Sequence, residues 1–251
     1  MLSWFRTQAK DHGVFRALTL LASVAANRAR VELSNKLLPN RLECPCCGWQ
    51  GRRFFDYIEA GYRVPNAACP QCDSHSRHRA FYLWLTKEYE LANRKGRALV
   101  FAPERALAPV WNSAPELRTI KTDIEPSRGV DVMADVMRLP LQSESIALIW
   151  CHHVLEQVLD DRAAMRELHR VLAEGGELLI SAGLSGLEKT QELGTANKML
   201  SGNRRLYGND FSERLKEAGF EVTSLTYNLS EADLQRYAIF PESFYRCVKA
   251  G

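Results

Sequence analysis

Two cysteine pairs, Cys44-x-x-Cys47 and Cys69-x-x-Cys72, constrain this chain more tightly than any other feature. A two-residue gap lets both thiolates of a pair reach one ion from a tight turn. The first knuckle reads Cys44-Pro45-Cys46-Cys47-Gly48, where the glycine lets the backbone close; the second reads Cys69-Pro70-Gln71-Cys72. The separation between the pairs slightly exceeds the usual ribbon spacing, and a hairpin bridges it. Four thiolates fill a tetrahedral Zn²⁺ site, so the spacing predicts a structural zinc held by Cys44, Cys47, Cys69 and Cys72. Such an ion holds together a module too small for its own core. Cys46 reads as a bystander able to substitute for a neighbour, and His75 and His78 are alternative ligands. A redox or disulfide role is the competing reading.

Charge divides the chain near the same place. Residues 1–96 carry fifteen Lys/Arg against eight Asp/Glu; the remainder carries eighteen against twenty-two. A basic front on an acidic body points to an anionic partner, whether nucleic acid, a membrane surface or an acidic substrate. The plainer alternative is that the basic residues solvate a helix and a knuckle. After the second knuckle, Ser74-His75-Ser76-Arg77-His78-Arg79 is suited to phosphate or carboxylate groups, or else caps and pairs the following helix, 80–91. Residues 1–40 read as helix, with no proline before Pro39. The apolar run 17–26 follows Lys10 and Arg16 like a leader, but Asp11 and His12 interrupt it and the cysteines are spaced for metal. An amphipathic helix packed on the body, or peripheral contact with a membrane surface, is the reading preferred. No run of eighteen apolar residues exists, so no transmembrane segment is expected, and the expected location is cytoplasmic.

Beyond Arg97, short apolar runs alternate with helical patterns, the mark of a doubly wound, mostly parallel sheet. Strands are expected at 97–101, 119–123, 131–134, 146–150, 177–181, 221–226 and 243–248. Asp160 or Asp161 caps a helix through Leu172, whose Met165, Leu168, Val171 and Leu172 share a face, and Gly175-Gly176 turns the chain into a strand. Asn209 or Asp210 caps another helix, ended by Gly219. The expected organisation is an N-terminal helical segment (1–40), a zinc-ribbon-like module (41–80) and a Rossmann-like α/β domain with a seven-stranded sheet (81–251). Ligands of such sheets sit outside the carboxyl ends of the strands, which picks out 102–104, 123–125, 135–137 and 151–153.

Particular stretches carry a family likeness. They are Phe101-Ala-Pro-Glu104, Thr122-Asp123, Asp135-Val-Met-Arg-Leu-Pro140, His153-Val-Leu-Glu156, Asp160-Asp161, Ala164-Met-Arg-Glu167, His169-Arg-Val-Leu172, Gly175-Gly176, Tyr207-Gly208 and Ala218-Gly-Phe220. In these the chain resembles class I S-adenosylmethionine-dependent methyltransferases of the type 11 kind, in a subgroup with an N-terminal pair of Cys-x-x-Cys knuckles. The likeness runs from about Arg41 to Val222. It implies S-adenosylmethionine as methyl donor. Because members often lie among surface-polysaccharide genes, it also implies a small or saccharide-linked acceptor. The implied donor-binding set is Phe101, Ala102, Glu104, Asp123, Ile124, Asp135, Val136, Met137 and Cys151.

Chemistry supports two of these positions. A carboxylate at the tip of the second strand, Asp123, can accept from both ribose hydroxyls. Asp135 can accept from an adenine amino group, with Val136 or Met137 flanking the ring. Both are alternatively ordinary loop caps. The first loop, 101–106, lacks the usual glycines; Pro103 is expected to push Ala102 into an extended conformation and to begin a helix. Glu104 is placed to accept from the donor's ammonium or ribose. His152 and His153 are the candidate bases for a hydroxyl acceptor, with a structural role for one of them as the alternative. Two departures from the family pattern stand out. The usual Val-Leu-Glu-His is Val154-Leu155-Glu156-Gln157 here, and Asn203-Arg204-Arg205-Leu206 replaces Asp-His-Val-Arg before Tyr207-Gly208. The segment between Ser181 and Tyr207 is expected to cover the acceptor pocket. Two alternatives remain: an RNA methyltransferase gripping nucleic acid through the basic zinc module, and a catalytically silent scaffold.

Overall fold

The protein, as a computed structural model, is described over residues 2–59, 62–126, 129–197, 202–240 and 242–249. Two compact units divide the chain: residues 1–88 with 227–241, and residues 89–226 with 242–251.

The first unit begins with α1 (Leu2–His12) and α2 (Val14–Leu37). The single helical segment expected over 1–40 is broken at Gly13, whose φ of 86° lies where only glycine is at ease. α2 buries Ala17, Leu20, Asn27 and Val31 on one face. Its two asparagines tie down residues 52–56. The Asn27 side-chain oxygen accepts the Asp56 N–H (3.0 Å). The Asn35 oxygen accepts the N–H groups of Arg52 and Arg53 (2.8 Å each), and the Asn35 amide donates to the Arg53 carbonyl (3.1 Å). Two antiparallel hairpins come next: β1 (Leu42–Glu43) with β2 (Gln50–Gly51), and β3 (Phe55–Glu59) with β4 (Tyr62–Ala68). α3 spans Ser76–Lys87, starting earlier than the expected 80–91. His78 explains the early start, because its Nδ1 accepts the His75 N–H (3.1 Å) and closes the first turn.

The second unit is a sheet with flanking helices. Its elements are β5 (Gly96–Phe101), α4 (Ala108–Asn112), β6 (Leu117–Asp123), β7 (Val132–Met133), β8 (Ile146–His152), α5 (Asp161–Val171) and β9 (Leu172–Ser181). A hairpin, β10 (Gln191–Asn197) with β11 (Asn203–Leu206), precedes α6 (Phe211–Glu217) and β12 (Phe220–Leu225). The chain then returns to the first unit through residues 227–241, with α7 (Glu231–Arg236), before closing on β13 (Phe244–Lys249). Among the described residues the sheet has seven strands in the order β12-β13-β9-β8-β5-β6-β7. All neighbours from β9 to β7 pair in parallel; β13 runs antiparallel to both β9 and β12. This is the mostly parallel Rossmann-like architecture expected. The strand expected at 131–134 shrinks to two residues at the sheet's edge.

Residues 227–241, which the sequence pattern places with the sheet, pack instead in the first unit. Tyr237 and Ile239 form a core cluster there with Ala80 and Leu83. Nothing local in 227–241 names that partner.

In the second unit, Asp160 caps α5 as its side chain accepts the Ala163 N–H (2.9 Å). Ala164, Met165, Leu168 and Val171 then lie buried in the sheet core, each large apolar side chain contributing roughly 1.5–3 kcal/mol. Asp210 does not cap α6. Its side chain instead accepts the Thr190 N–H and hydroxyl (2.7 and 2.6 Å), because the returning hairpin reaches it first.

A buried polar network fixes that hairpin. The Arg205 side chain, 3% exposed, donates to the carbonyls of Leu155 (2.6 Å), Val158 (2.8 Å) and Leu159 (3.1 Å). Asp161 accepts from the Tyr207 hydroxyl and from Arg214, each at 2.8 Å. Burial, then the Asp161 charge, pushes the Tyr207 phenol well above its ordinary range. Gly208 passes so close that an added Cβ would meet the Lys189 backbone carbon at 2.5 Å. Strands β10 and β11 are therefore an anchored hairpin. Replacing Arg205 by alanine leaves the carbonyls of Leu155, Val158 and Leu159 without their donor and empties a buried site. Urea unfolding of R205A is expected to show a loss of about 3–5 kcal/mol, and an effect below about 1 kcal/mol would refute this account.

Candidate active site and metal centre

The sheet order reverses at β5. The chain leaves β5 for β6 and β7 on one side, then crosses to β8 and β9 on the other. Loops after β5 and β8 must diverge, and the crevice between them is where such sheets bind ligands. The carboxyl tips of β5, β6, β7 and β8 carry the residues that the sequence singles out.

After β5, Phe101 is buried in the sheet core, while Ala102, Pro103 and Glu104 are half-buried. Ala102 has a φ of 45°, in the left-handed region, and not the extended conformation expected. Its N–H is held by the Thr122 carbonyl of β6 (3.0 Å), so the chain must turn within one residue. Pro103 does not start a helix; the next turn begins after Glu104, as a 3₁₀ segment over Arg105–Leu107. Such a conformation without glycine costs on the order of 1–3 kcal/mol and collects at ligand sites.

Asp123 ends β6, and its Oδ1 accepts the Glu125 N–H (3.0 Å). Asp135 is exposed, and its Oδ1 accepts the Met137 N–H (2.9 Å). Both carboxylates thus act as loop caps through one oxygen, which fixes their orientation. Ile124 lies 72% exposed beside Asp123, and Met133 is exposed at the end of β7. Val136 is buried and Met137 half-buried. The Cys151 thiol faces the core, and its burial raises its pKa well above the usual thiol range, so only the backbone there can meet a ligand.

The two histidines separate clearly. His152 is buried, its ring tilted at 51° against Trp150 with centroids 3.8 Å apart, and its Nδ1 is 2.7 Å from the Ser181 hydroxyl. His153 is half-exposed with a left-handed φ of 52°, its N–H held by the Ser181 carbonyl (3.0 Å). Its Nδ1 lies 3.1 Å from Glu156 Oε1, and its Nε2 lies 3.5 Å from Glu242 Oε2. Glu156 is buried, and the same Oε1 accepts the Gly183 N–H (2.7 Å). In the sequence Glu156 figures only as a letter of a motif. Its spacing of three from His153 is the one signal there of its role. Gln157, in the place of the family's histidine, is exposed.

The metal centre belongs to the first unit. The four sulfurs of Cys44, Cys47, Cys69 and Cys72 lie within 4.8 Å of one another. Cys44 and Cys72 are 3.6 Å apart, Cys47 and Cys69 3.7 Å. Tetrahedral zinc with bonds of about 2.3 Å needs sulfurs about 3.8 Å apart, so the residues fit the ion. The knuckles match each other: the Gly48 N–H bonds Cys44 O (2.8 Å), and the Asp73 N–H bonds Cys69 O (3.0 Å). Gly48 and Asp73 both take positive φ, 73° and 59°. The Cys44 sulfur also lies 3.1 Å from the Ser74 hydroxyl, and four thiolates this close together require a cation to offset their mutual repulsion. Cys46 stands outside the set, its thiol on the His78 carbonyl (3.7 Å). Arg79 does not serve anions. It is fully buried and donates to the carbonyls of Ser74, Ala67, Tyr237 and Ala238.

Residues 104–180 match the family of methyltransferase domains. Together with the sheet order, that match sets the class: an S-adenosylmethionine-dependent methyltransferase. No curated protein matches the chain in sequence. Among solved structures, the [4+2]-cyclase SpnF is similar with a TM-score of 0.50 and 16% identity, over 80% of this chain and 88% of the cyclase. A chain of a Haloferax volcanii complex of a methyltransferase and its activator aligns at 0.49 and 16%, over 70% and 94%. An S-adenosylmethionine-dependent methyltransferase from Thermotoga maritima aligns at 0.47 and 18%, over 68% and 91%. At these identities the likeness is one of fold. Among the described residues, no helix is long and apolar enough to cross a membrane.

Metal analysis of the purified protein is expected to find one zinc per chain. C44S should lose it and melt at lower temperature, whereas C46S should keep it. Retention of full zinc by C44S would dismiss the four-thiolate assignment.

Proposed function

We propose that the protein transfers the donor's methyl group to a hydroxyl of a small or saccharide-linked acceptor, at the crevice between the β5 and β8 loops. The observation that carries this reading is His153 at the β8 tip, its Nδ1 3.1 Å from the buried Glu156 and its Nε2 3.5 Å from Glu242. The paired cysteine knuckles support the subgroup likeness, and with it the acceptor class. Asp123 would accept from the ribose hydroxyls, and Asp135 would use its second oxygen for the adenine amino group. Ile124 and Met137 would flank the ring, beside Val136, and the backbone at Phe101, Ala102 and Cys151, with Glu104, would line the remainder. The bound donor supplies an electrophilic methyl on a positively charged sulfur.

His153 would take the acceptor's proton at Nε2, where the acceptor hydroxyl would displace Glu242, as the oxygen–methyl bond forms and the carbon–sulfur bond breaks, and would later release that proton to solvent. Glu156 orients the imidazole through Nδ1 and stabilises the imidazolium. His152, buried between Trp150 and Ser181, shapes the strand tip and does not exchange protons with an acceptor. The zinc stays structural, since four thiolates leave no open position.

Calorimetry with S-adenosylmethionine is expected to give a dissociation constant below about 1 mM, with D123N at least roughly tenfold weaker. Heat signals absent at millimolar donor would sink the reading. With labelled donor and fractionated extract, H153Q is expected to lose about 10²–10⁴ in kcat while binding donor normally. Unchanged turnover would remove His153 as the base.

A further inference from the structure

A groove of about 930 Å³ opens within the first unit, and none of the four cysteines of the metal cluster lines it. The end of α2, the β1–β2 hairpin and the 231–240 segment line it. Arg41, Arg52, Arg53 and Arg236, with the single acid Glu231, supply its charge, and Leu38, Leu234 and Phe240 its apolar wall. The arginines are placed by backbone that cannot drift. Asn35 holds both the Arg52 and Arg53 N–H groups, and the Arg41 N–H bonds the Gly51 carbonyl (2.9 Å). Leu42 pairs with Gly51 across the hairpin, so continuing that register sets Arg41 opposite Arg52. Like charges directly opposite each other destabilise a hairpin. Neighbouring arginines are neutralised: Arg30 and Arg63 converge on Asp56 elsewhere in the unit, and Arg236, in the groove itself, pairs with Glu43. Arg41, Arg52 and Arg53 have no acidic partner among the described residues. Phe240 and Leu38, by contrast, stand 52% and 49% exposed at the same groove.

We infer that this groove is a binding site for an organic phosphate with a hydrocarbon body, its phosphate clamped by Arg41, Arg52 and Arg53. Guanidinium forks match phosphate oxygens in pairs, and a doubly charged head relieves the crowding of the three cations. The hydrocarbon covers Leu38 and Phe240, which no inorganic ion would do. The inference does not depend on methyl transfer, and its test reads binding alone.

The probe is farnesyl phosphate, kept below its aggregation limit and titrated into the zinc-loaded full chain. Inorganic phosphate and vesicles of phosphatidylglycerol in phosphatidylcholine serve as comparators. Farnesyl phosphate is expected to bind at least thirtyfold more tightly than inorganic phosphate. The R52A/R53A double variant should weaken it tenfold or more, with zinc content and donor binding unchanged. Should that variant fail to fold, R41A and F240S, both at exposed positions, are each expected to weaken it several-fold. Equal affinity for both phosphates, indifference to these substitutions, or capture by vesicles without binding of the dispersed ester would overturn the assignment.

Discussion

β5 is hydrogen-bonded along both edges, to β6 on one side and to β8 on the other, always in parallel. Its backbone groups are therefore satisfied, and the chain can leave it only by turning out of the sheet. That saturation explains Ala102. The residue's N–H is already committed to β6 while Pro103 demands a change of direction, so the backbone accepts a left-handed φ without a glycine. The same reversal sends the β8 loop the opposite way, where His153 also takes a left-handed φ. Both strained residues thus lie at strand tips beside the reversal of strand order.

The first unit solves a different problem. Its core cluster at the hairpins consists of Leu42, Cys44, Cys46, Phe54 and Cys69, so sulfur makes up most of it. Apolar burial of that size cannot offset the entropy of ordering the hairpins. Two polar devices make up the difference. One is the thiolate set; the other is Arg79, which spans from Ala67 and Ser74 to Tyr237 and Ala238 and lies 4.3 Å from the Phe54 ring. Burial pulls its guanidinium down to about 10, still charged at neutral pH. Lysine has too few donors to satisfy four carbonyls in this way.

The range of an interaction decides whether the sequence makes it legible. The strands and the Asp160 cap rest on contacts within a few residues, and local spacing reveals them. The cysteine pairs are legible because metal geometry demands a fixed gap. Arg79 reads as part of an anion cluster because its partners, Tyr237 and Ala238, lie 158 and 159 residues away. Arg205 reads as a lid residue for the same reason, its carbonyl partners lying in 155–159. Ala102 departs from its expected conformation because the proline rule is local, whereas the hydrogen bond that overrides it comes from the neighbouring strand. Asp123 and Asp135 are found by position, yet their capping bonds are visible only in the fold.

Glu156 shows why site and fold are hard to separate here. Its carboxylate binds both His153 and the Gly183 N–H, and its own carbonyl accepts the Arg204 N–H (2.7 Å). One residue therefore joins the β8 tip, the end of β9 and the β10–β11 hairpin. Arg205, the next residue along, ties the hairpin to the carbonyls just before and after Glu156. A displacement of the hairpin is thus transmitted through backbone hydrogen bonds to the residue that orients the imidazole. The departure from the family pattern at 203–206 and the placement of His153 are consequently parts of one arrangement. Any movement of the hairpin is therefore also felt at the His153 imidazole.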